Sequence, residues 1–252
     1  MQPFHSVVMV REVWDTRDLV GDVVEPGGAL KESALERRFE PEDLNALEMA
    51  LRIKDEHGGR VTALSVGSPK SVDVLRECLY RGVDDVLRVP AEPDTLDTRA
   101  EAALAAGAVQ GMDDVRLILT GTTVPDGSNA LPGVALAVAL GLDEVSYVDS
   151  IEALREDGLT VRRAMAMGYE TVSLPYPAVL SVGVALLEDD PRTPRTAKAM
   201  LKIKMKKAEI PEKSRRAGRD GCREGNVCGR HGFERAGESG KVFRPGGSRL
   251  VP

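Results

Sequence analysis

"VRLILTGTTVPDGSNALPGVALAVALG" (residues 115–141) is the stretch on which the reading of this chain turns. Its first six residues are an almost unbroken apolar run, the pattern of a strand buried on both faces. Residues 121–130 are mostly small, polar or helix-breaking, with Gly121, Pro125 and Gly127 among them. An Ala/Leu/Val helix pattern follows at once. A strand, a Gly-containing loop and a helix start in succession offer backbone N–H groups and the positive end of a helix dipole to a phosphate. An ordinary polar turn with Asp126 or Ser128 capping the helix is the plain alternative.

The same alternation extends upstream. Residues 7–10 read as a buried strand. Pro41 opens a helix, with acidic residues around its first turn and Leu44, Leu47 and Leu51 at helical spacing, and "HGG" ends it. "RVTALSVGSP" is a second strand, "KSVDVLRECLYRG" an amphipathic helix and "VDDVLRV" a third strand. "TLDTRAEAALAAGAVQGM" is an Ala-rich helix, and "EVSYV" is a fifth strand after the opening motif. Strands alternating with helices imply an α/β fold, an open, doubly wound, mostly parallel sheet with helices on both faces. Ligands in such sheets sit beyond the carboxyl ends of the strands, so the loops after Val10, Val66 and Thr120 are the places to inspect. After residue 150 the pattern shifts to short strands. "EDGLT" signals a hairpin, "YETVSL" alternates and "AVLSV" is a buried run, and these are expected to extend the sheet antiparallel.

The chain has 252 residues, 42% of them hydrophobic, enough for a substantial core. Aromatics are only 4%, which argues against a base-stacking nucleic-acid binder. The apolar runs fall well short of the ~20 residues a membrane span needs, so no membrane insertion is expected. Three cysteines are too few for a disulfide scaffold, and a cytoplasmic setting is expected. Charge is uneven. Residues 192–252 carry 17 Lys/Arg against 6 Asp/Glu, while the whole chain is −6. That block is either a solvated basic tail or a docking segment for an acidic partner. Nine of the 25 glycines fall in the last 36 residues, without apolar periodicity, so a disordered tail or extended arm is expected there. Cys222, Cys228 and His231 lack the close Cys pair of common zinc sites, and no metal site is expected. The expected organisation is an α/β nucleotide-binding domain at 1–190, a partner-recognition loop and basic helix at 191–212, and a Gly/Arg-rich tail at 213–252.

Several stretches together resemble the beta subunit of electron-transfer flavoprotein, over roughly residues 5–207. They are "VVMVREVWD", with Arg11 and Asp15 in the family's basic and acidic places, and "EPEDLNALEMALRIKDE", similar to its Asn-Pro loop and helix. "VTALSVGSPKSVDVLRECLYRGVDDVLRV" matches its second strand, helix and third strand. "GTTVPDGSNALPGVALAVALGL" is similar to its phosphate loop without a gap. "YETVSLPYPAVLSV" and "PRTPRTAKAMLKIKMKK" complete the match. The resemblance implies a Rossmann-like, adenine-nucleotide-binding fold and an electron-carrier subunit rather than an enzyme. It implies a heterodimer in which an alpha subunit holds FAD and this chain binds AMP, or a second FAD in electron-bifurcating members. The residues it places at the nucleotide are Met9, Glu40, Pro41, Val66, Asp126, Gly127, Ser128, Asn129, Ala130, Leu131 and Gly133, with Val66 offering only backbone.

The departures from the family pattern carry expectations of their own. Glu40 stands where the family has Asn, and an ionised carboxylate cannot donate a hydrogen bond. Leu131 replaces a frequent Gln, and Pro132 removes a backbone donor. In the strand "VRRAMAMGYETV", Ala166-Met167-Gly168 replaces an acidic-Gly-Gly run. Arg162 and Arg163 there are either surface arginines or place one guanidinium near a flavin. Arg192, Thr196, Ala197 and Lys198 fall on the partner-recognition loop. Thr196 and Ala197 stand where relatives present a Leu-Pro anchor, so the dehydrogenase donor is expected not to be of the usual Leu-anchored type. The competing readings are an adenine-nucleotide-binding enzyme or stress-type regulator on the same fold, or a structural subunit with an empty nucleotide site. A basic nucleic-acid binder built on the tail lacks motif support.

Overall fold

The computed structural model describes residues 4–15, 21–28, 31, 37–91, 96–122, 131–183 and 210–212. The elements in order are β1 (Phe4–Met9), β2 (Glu12–Trp14), β3 (Arg37–Phe39), α1 (Pro41–His57), β4 (Gly59–Gly67), α2 (Val72–Arg81), β5 (Asp85–Pro90) and α3 (Thr98–Val109). They continue as β6 (Val115–Gly121), α4 (Pro132–Leu140), β7 (Asp143–Leu154), β8 (Gly158–Met165), β9 (Gly168–Pro175) and β10 (Ala178–Val182). Local signals set the helix ends. Pro41 occupies the first turn of α1, Glu42 and Asp43 face its positive end, and Gly58 closes it at φ 75°. Helix α2 stops at Gly82, left-handed at φ 112°.

Eight strands form one sheet in the order β5-β4-β1-β6-β10-β7-β8-β9. The pairs from β5 to β7 are all parallel, and β8 and β9 add antiparallel at one edge. Helices cover both faces. Alternate strand residues such as Val8, Ala63 and Leu119 pack with Leu44, Leu47 and Leu75 of α1 and α2. The residues between them, Val7, Leu64 and Ile118, pack with Ala105, Val109 and Leu136 of α3 and α4. The expected doubly wound sheet is therefore present.

One part of the expectation is corrected. "AVLSV" does not extend the sheet antiparallel. As β10 it inserts between β6 and β7, parallel to both. All five of its residues are buried, the signature of an interior parallel strand rather than an alternating edge. A separate two-stranded ribbon pairs Glu12 of β2 with Phe39 of β3 and Trp14 with Arg37.

The chain moves outward from β1 through β4 to β5, and α3 then returns it to β6 on the other side of β1. The strand order thus reverses between β1 and β6. The crevice at their carboxyl ends is the topological switch point, where ligands enter open sheets of this kind.

Candidate functional site

The ends of β1 and β6 are tied together by the acidic first turn of α1. Arg11, just past β1, donates from Nε to Asp43 Oδ2 (3.0 Å) and from Nη2 to Asp43 Oδ1 (2.8 Å). Its backbone N–H also donates to Asp43 Oδ2 (2.9 Å). Asp43 Oδ1 accepts the Gly121 N–H as well (2.8 Å), and Glu42 Oε2 accepts the Thr122 N–H (2.8 Å). The pair is buried; burial pulls the Arg11 guanidinium down, and the charge and hydrogen bonds of Asp43, with Glu101 and Glu40, together outweigh it and hold Arg11 charged. A side chain at Gly121 would put Cβ 2.7 Å from Asp43 Oδ1, so this close approach needs glycine.

Glu40 is fully buried and is the N-cap of α1. Its Oε2 accepts from the Glu42 N–H (2.7 Å) and more distantly from the Asp43 N–H (3.4 Å). The position thus keeps the acceptor role that an Asn would fill at a helix N-cap. One of the Glu40 oxygens is thus occupied by the helix, and Oε1 has no partner among the described residues. Burial and the neighbouring Asp43 carboxylate push the Glu40 carboxyl up to about 8, against the pull of Arg11.

Met9 and Val66 are buried among the residues that pack under α3 and α4. Only their backbone is available at the carboxyl edge, as expected for Val66. Pro41 is the first residue of α1. Leu131 is the N-cap of α4 in a left-handed conformation (φ 58°), with no side-chain cap bond, and Pro132 follows at the first helical position. The N-cap position is thus Leu131 rather than Asp126 or Ser128. Helical bonding begins with the Ala135 N–H to the Leu131 carbonyl (3.2 Å), which leaves the Gly133 and Val134 N–H groups without an intrahelical acceptor. Gly133 has a packing role too. A Cβ there would collide with Ser181 Oγ and lie 2.7 Å from Thr120 Oγ1. Asp126, Gly127, Ser128, Asn129, Ala130, Arg192, Thr196, Ala197 and Lys198 lie outside the described residues, as do Cys222, Cys228 and His231.

Polar atoms remain at this edge. Arg11 Nη1, Glu40 Oε1, Ser65 Oγ and Thr122 Oγ1 are buried without a hydrogen-bond partner among the described residues. Buried polar groups are normally paired. Arg11 Nη1, Ser65 Oγ and Thr122 Oγ1 at a switch point, with the Gly133 and Val134 N–H groups that have no partner among the described residues, form a donor set suited to phosphate and base acceptors. Among the described residues no cluster of His, Cys, Asp and Glu could hold a metal ion, and no helix is long and apolar enough to cross a membrane.

Arg162 pairs with Asp149 (Nη2 to Oδ2, 3.0 Å) and lies 4.8 Å from the Tyr169 ring centroid, and Arg163 pairs with Glu170 (2.8 Å). Both belong to the outer β8–β9 hairpin, Arg162 on β8 opposite Thr171 and Arg163 opposite Glu170. Asp15 faces Arg38 at 3.5 Å.

A family model described as the electron transfer flavoprotein domain matches residues 27–213. The chain belongs to the electron-transfer flavoprotein family. Its curated relatives place it on the beta-subunit side. The electron transfer flavoprotein subunit beta of Clostridium acetobutylicum is 34% identical over 179 residues, 69% of this chain and 66% of that protein. The subunit of the same description from Megasphaera elsdenii is 32% identical over 213 residues, 81% of this chain and 76% of that protein. Protein FixA of Azorhizobium caulinodans is 31% identical, over 71% of this chain and 65% of that protein. The chain thus spans about two thirds of the length of the Clostridium and Azorhizobium relatives. The family match begins after β1, so the Arg11 end of the site lies outside it.

The residues missed from sequence are Asp43, Glu42 and Thr122. The two acids were legible only as dipole partners of α1. Their bonds to residues about 80 positions away follow from the crossover that brings β6 beside β1.

Proposed function

We propose that this chain is the beta-type subunit of a heterodimeric electron-transfer flavoprotein. It binds an adenine nucleotide, AMP or the ADP half of a second FAD, at the carboxyl ends of β1, β4 and β6. With an alpha subunit it completes an FAD site that carries electrons from a dehydrogenase, not of the Leu-anchored type, to an acceptor. The observation that carries this reading is the start of α4 at the switch point, where the N-cap residue Leu131 makes no side-chain cap bond, in a chain of this family.

Under this reading Gly133 and Val134 offer N–H groups to a phosphate, together with the 126–130 loop. The backbones of Met9 and Val66 flank the base, and Thr122 Oγ1 and Ser65 Oγ supply donors. Glu40 and Pro41 set the angle at which α1 meets the site. A bound flavin supplies the one- and two-electron chemistry. The chain's own residues bind, orient and exclude water, and none acts as an acid, base or nucleophile on a substrate. Cytoplasmic placement and the three-part division at 190 and 212 belong to this same reading.

Coexpression with an alpha-type partner tests it. A stable one-to-one complex with a flavin absorption spectrum is expected. Two proteins that elute separately, both colourless, would refute it.

A further inference from the structure

The opposite edge of the sheet, where β1, β4 and β6 begin, holds a cleft of its own. Its volume is about 910 Å³, and Phe4, Arg60, Asp113, Asp114, Arg116 and Tyr176 are among its walls. Ligand pockets in general fall in this size range. The cleft is far from the carboxyl-edge crevice. Arg116 stands at the start of β6 and Gly121 ends it, about 16 Å of strand away.

Arg116 is the unexplained charge in this cleft. Phe4 and Tyr176 meet edge to face, with centroids 5.5 Å apart and planes at 74°. The Arg116 Cζ lies 5.4 Å from each ring centroid, so two aromatic faces hold the guanidinium in place. The parallel pairing of β10 with β6, Ala178 opposite Leu117, brings Tyr176 beside it. Yet no acceptor answers this cation. Among the described residues Arg116 has no hydrogen-bond or ion-pair partner, its Nη1 included. The Tyr176 hydroxyl has no partner there either. Burial, opposed by Arg116 and reinforced by Asp157, raises that phenol to about 12, so it keeps its proton and can donate. Arg116 is only partly buried and lines the cleft, which therefore reaches it from solvent.

The other polar groups are committed or balanced. His5 Nδ1 lies 2.7 Å from the Asp113 carbonyl, and its Nε2 lies 2.9 Å from Thr62 Oγ1. Arg60 Nη2 sits 3.1 Å from His5 Nδ1. Two arginines, Arg60 and Arg116, stand against two exposed aspartates, Asp113 and Asp114. That balance leaves room for one negative charge on Arg116 and disfavours a second. Pro177 extends the apolar wall that Phe4 and Tyr176 begin.

We infer that this cleft binds a small monocarboxylate with an apolar body, its carboxylate held by Arg116 and the Tyr176 hydroxyl and its body lying against Tyr176 and Pro177. A planar guanidinium suits a carboxylate, and aromatic walls that fix it lower the entropy lost on binding. The inference is independent of the nucleotide reading and stands whatever the carboxyl edge holds.

The test is calorimetric titration of the full chain at pH 7.5 and low salt, with benzoate and separately with inorganic phosphate. Wild type is compared with Arg116→Gln and Tyr176→Phe, each checked by its thermal midpoint. Benzoate should bind wild type saturably at one site, and phosphate more weakly. Arg116→Gln should weaken benzoate tenfold or more, the loss of a charge-assisted pair, and Tyr176→Phe several-fold, the loss of one neutral hydrogen bond. Tyr176→Phe deletes only a hydroxyl without a partner among the described residues, so it keeps the fold and stays readable even if Arg116→Gln does not fold. No saturable benzoate binding to wild type, or wild-type affinity in either folded variant, overturns the site. Phosphate binding more tightly than benzoate overturns the monocarboxylate assignment.

Discussion

Replacing Glu40 with Gln isolates the effect of one buried charge. The carboxyl is fully buried, it caps α1, and burial together with Asp43 lifts it from the ordinary 4.5 to about 8. The folded chain therefore holds a proton that the unfolded chain gives up. Below about pH 4.5 the group is neutral in both states and its favourable contribution is fully present. That contribution is lost as pH rises through about 8, because the unfolded chain ionises first. The loss runs at no more than about 1.4 kcal/mol per pH unit. Between about pH 5.5 and 8 the ceiling is about 3 kcal/mol, and relaxation around the carboxylate reduces the working figure to about 2 kcal/mol. Gln keeps an acceptor for the helix N–H groups and cannot ionise. Urea titrations of both proteins across this range should show Glu40→Gln gaining about 2 kcal/mol on wild type with rising pH. Parallel stability–pH curves would refute the assignment of a perturbed proton to Glu40.

Three further outcomes follow from the same geometry. Asp43→Asn leaves Arg11 buried with a neutral partner and weakens the tie to Gly121, so stability should fall by about 3–5 kcal/mol in urea titration. A loss below 1 kcal/mol, about the worth of an exposed pair, would show that the pair does not join β1 to β6. Gly133→Ala drives a methyl into Ser181 and Thr120 and should cost about 1–3 kcal/mol by thermal unfolding, whereas a wild-type midpoint would contradict the packing of α4 on β6 and β10. Leu131→Asn places a residue tolerant of φ 58° at the N-cap and should raise stability by about 0.5–1 kcal/mol, and a drop would mean that Leu131 contributes packing its exposure does not show.

Much of the fold was legible because its signals are local. Buried apolar runs, acidic first turns and Gly stops each fall within a few residues, and β4, α1 and β6 follow from them. The sense of β10 was not legible. "AVLSV" has the composition of a buried strand, but its direction depends on the route of the preceding hairpin, which no local pattern encodes. The site divides in the same way. The α4 start was visible in the Gly121–Pro132 spacing. The capping role of Glu40 was not legible, because an acidic residue before Pro41 reads equally as ligand neighbour or N-cap, and its bonds to the Glu42 and Asp43 N–H groups appear only in the fold. Arg116 and Tyr176 were missed because they are far apart in the chain, and only the parallel pairing of β10 with β6 brings them together.

The most direct test is the cofactor count of the purified heterodimer. After denaturation, released FAD and AMP are quantified against protein. One FAD and one AMP per heterodimer is the predicted result for a simple carrier, and two FAD without AMP is predicted if the same site takes a second flavin. One FAD with no nucleotide at the site described here would contradict the claim that the α4 start and the β1–β6 crevice hold an adenine nucleotide.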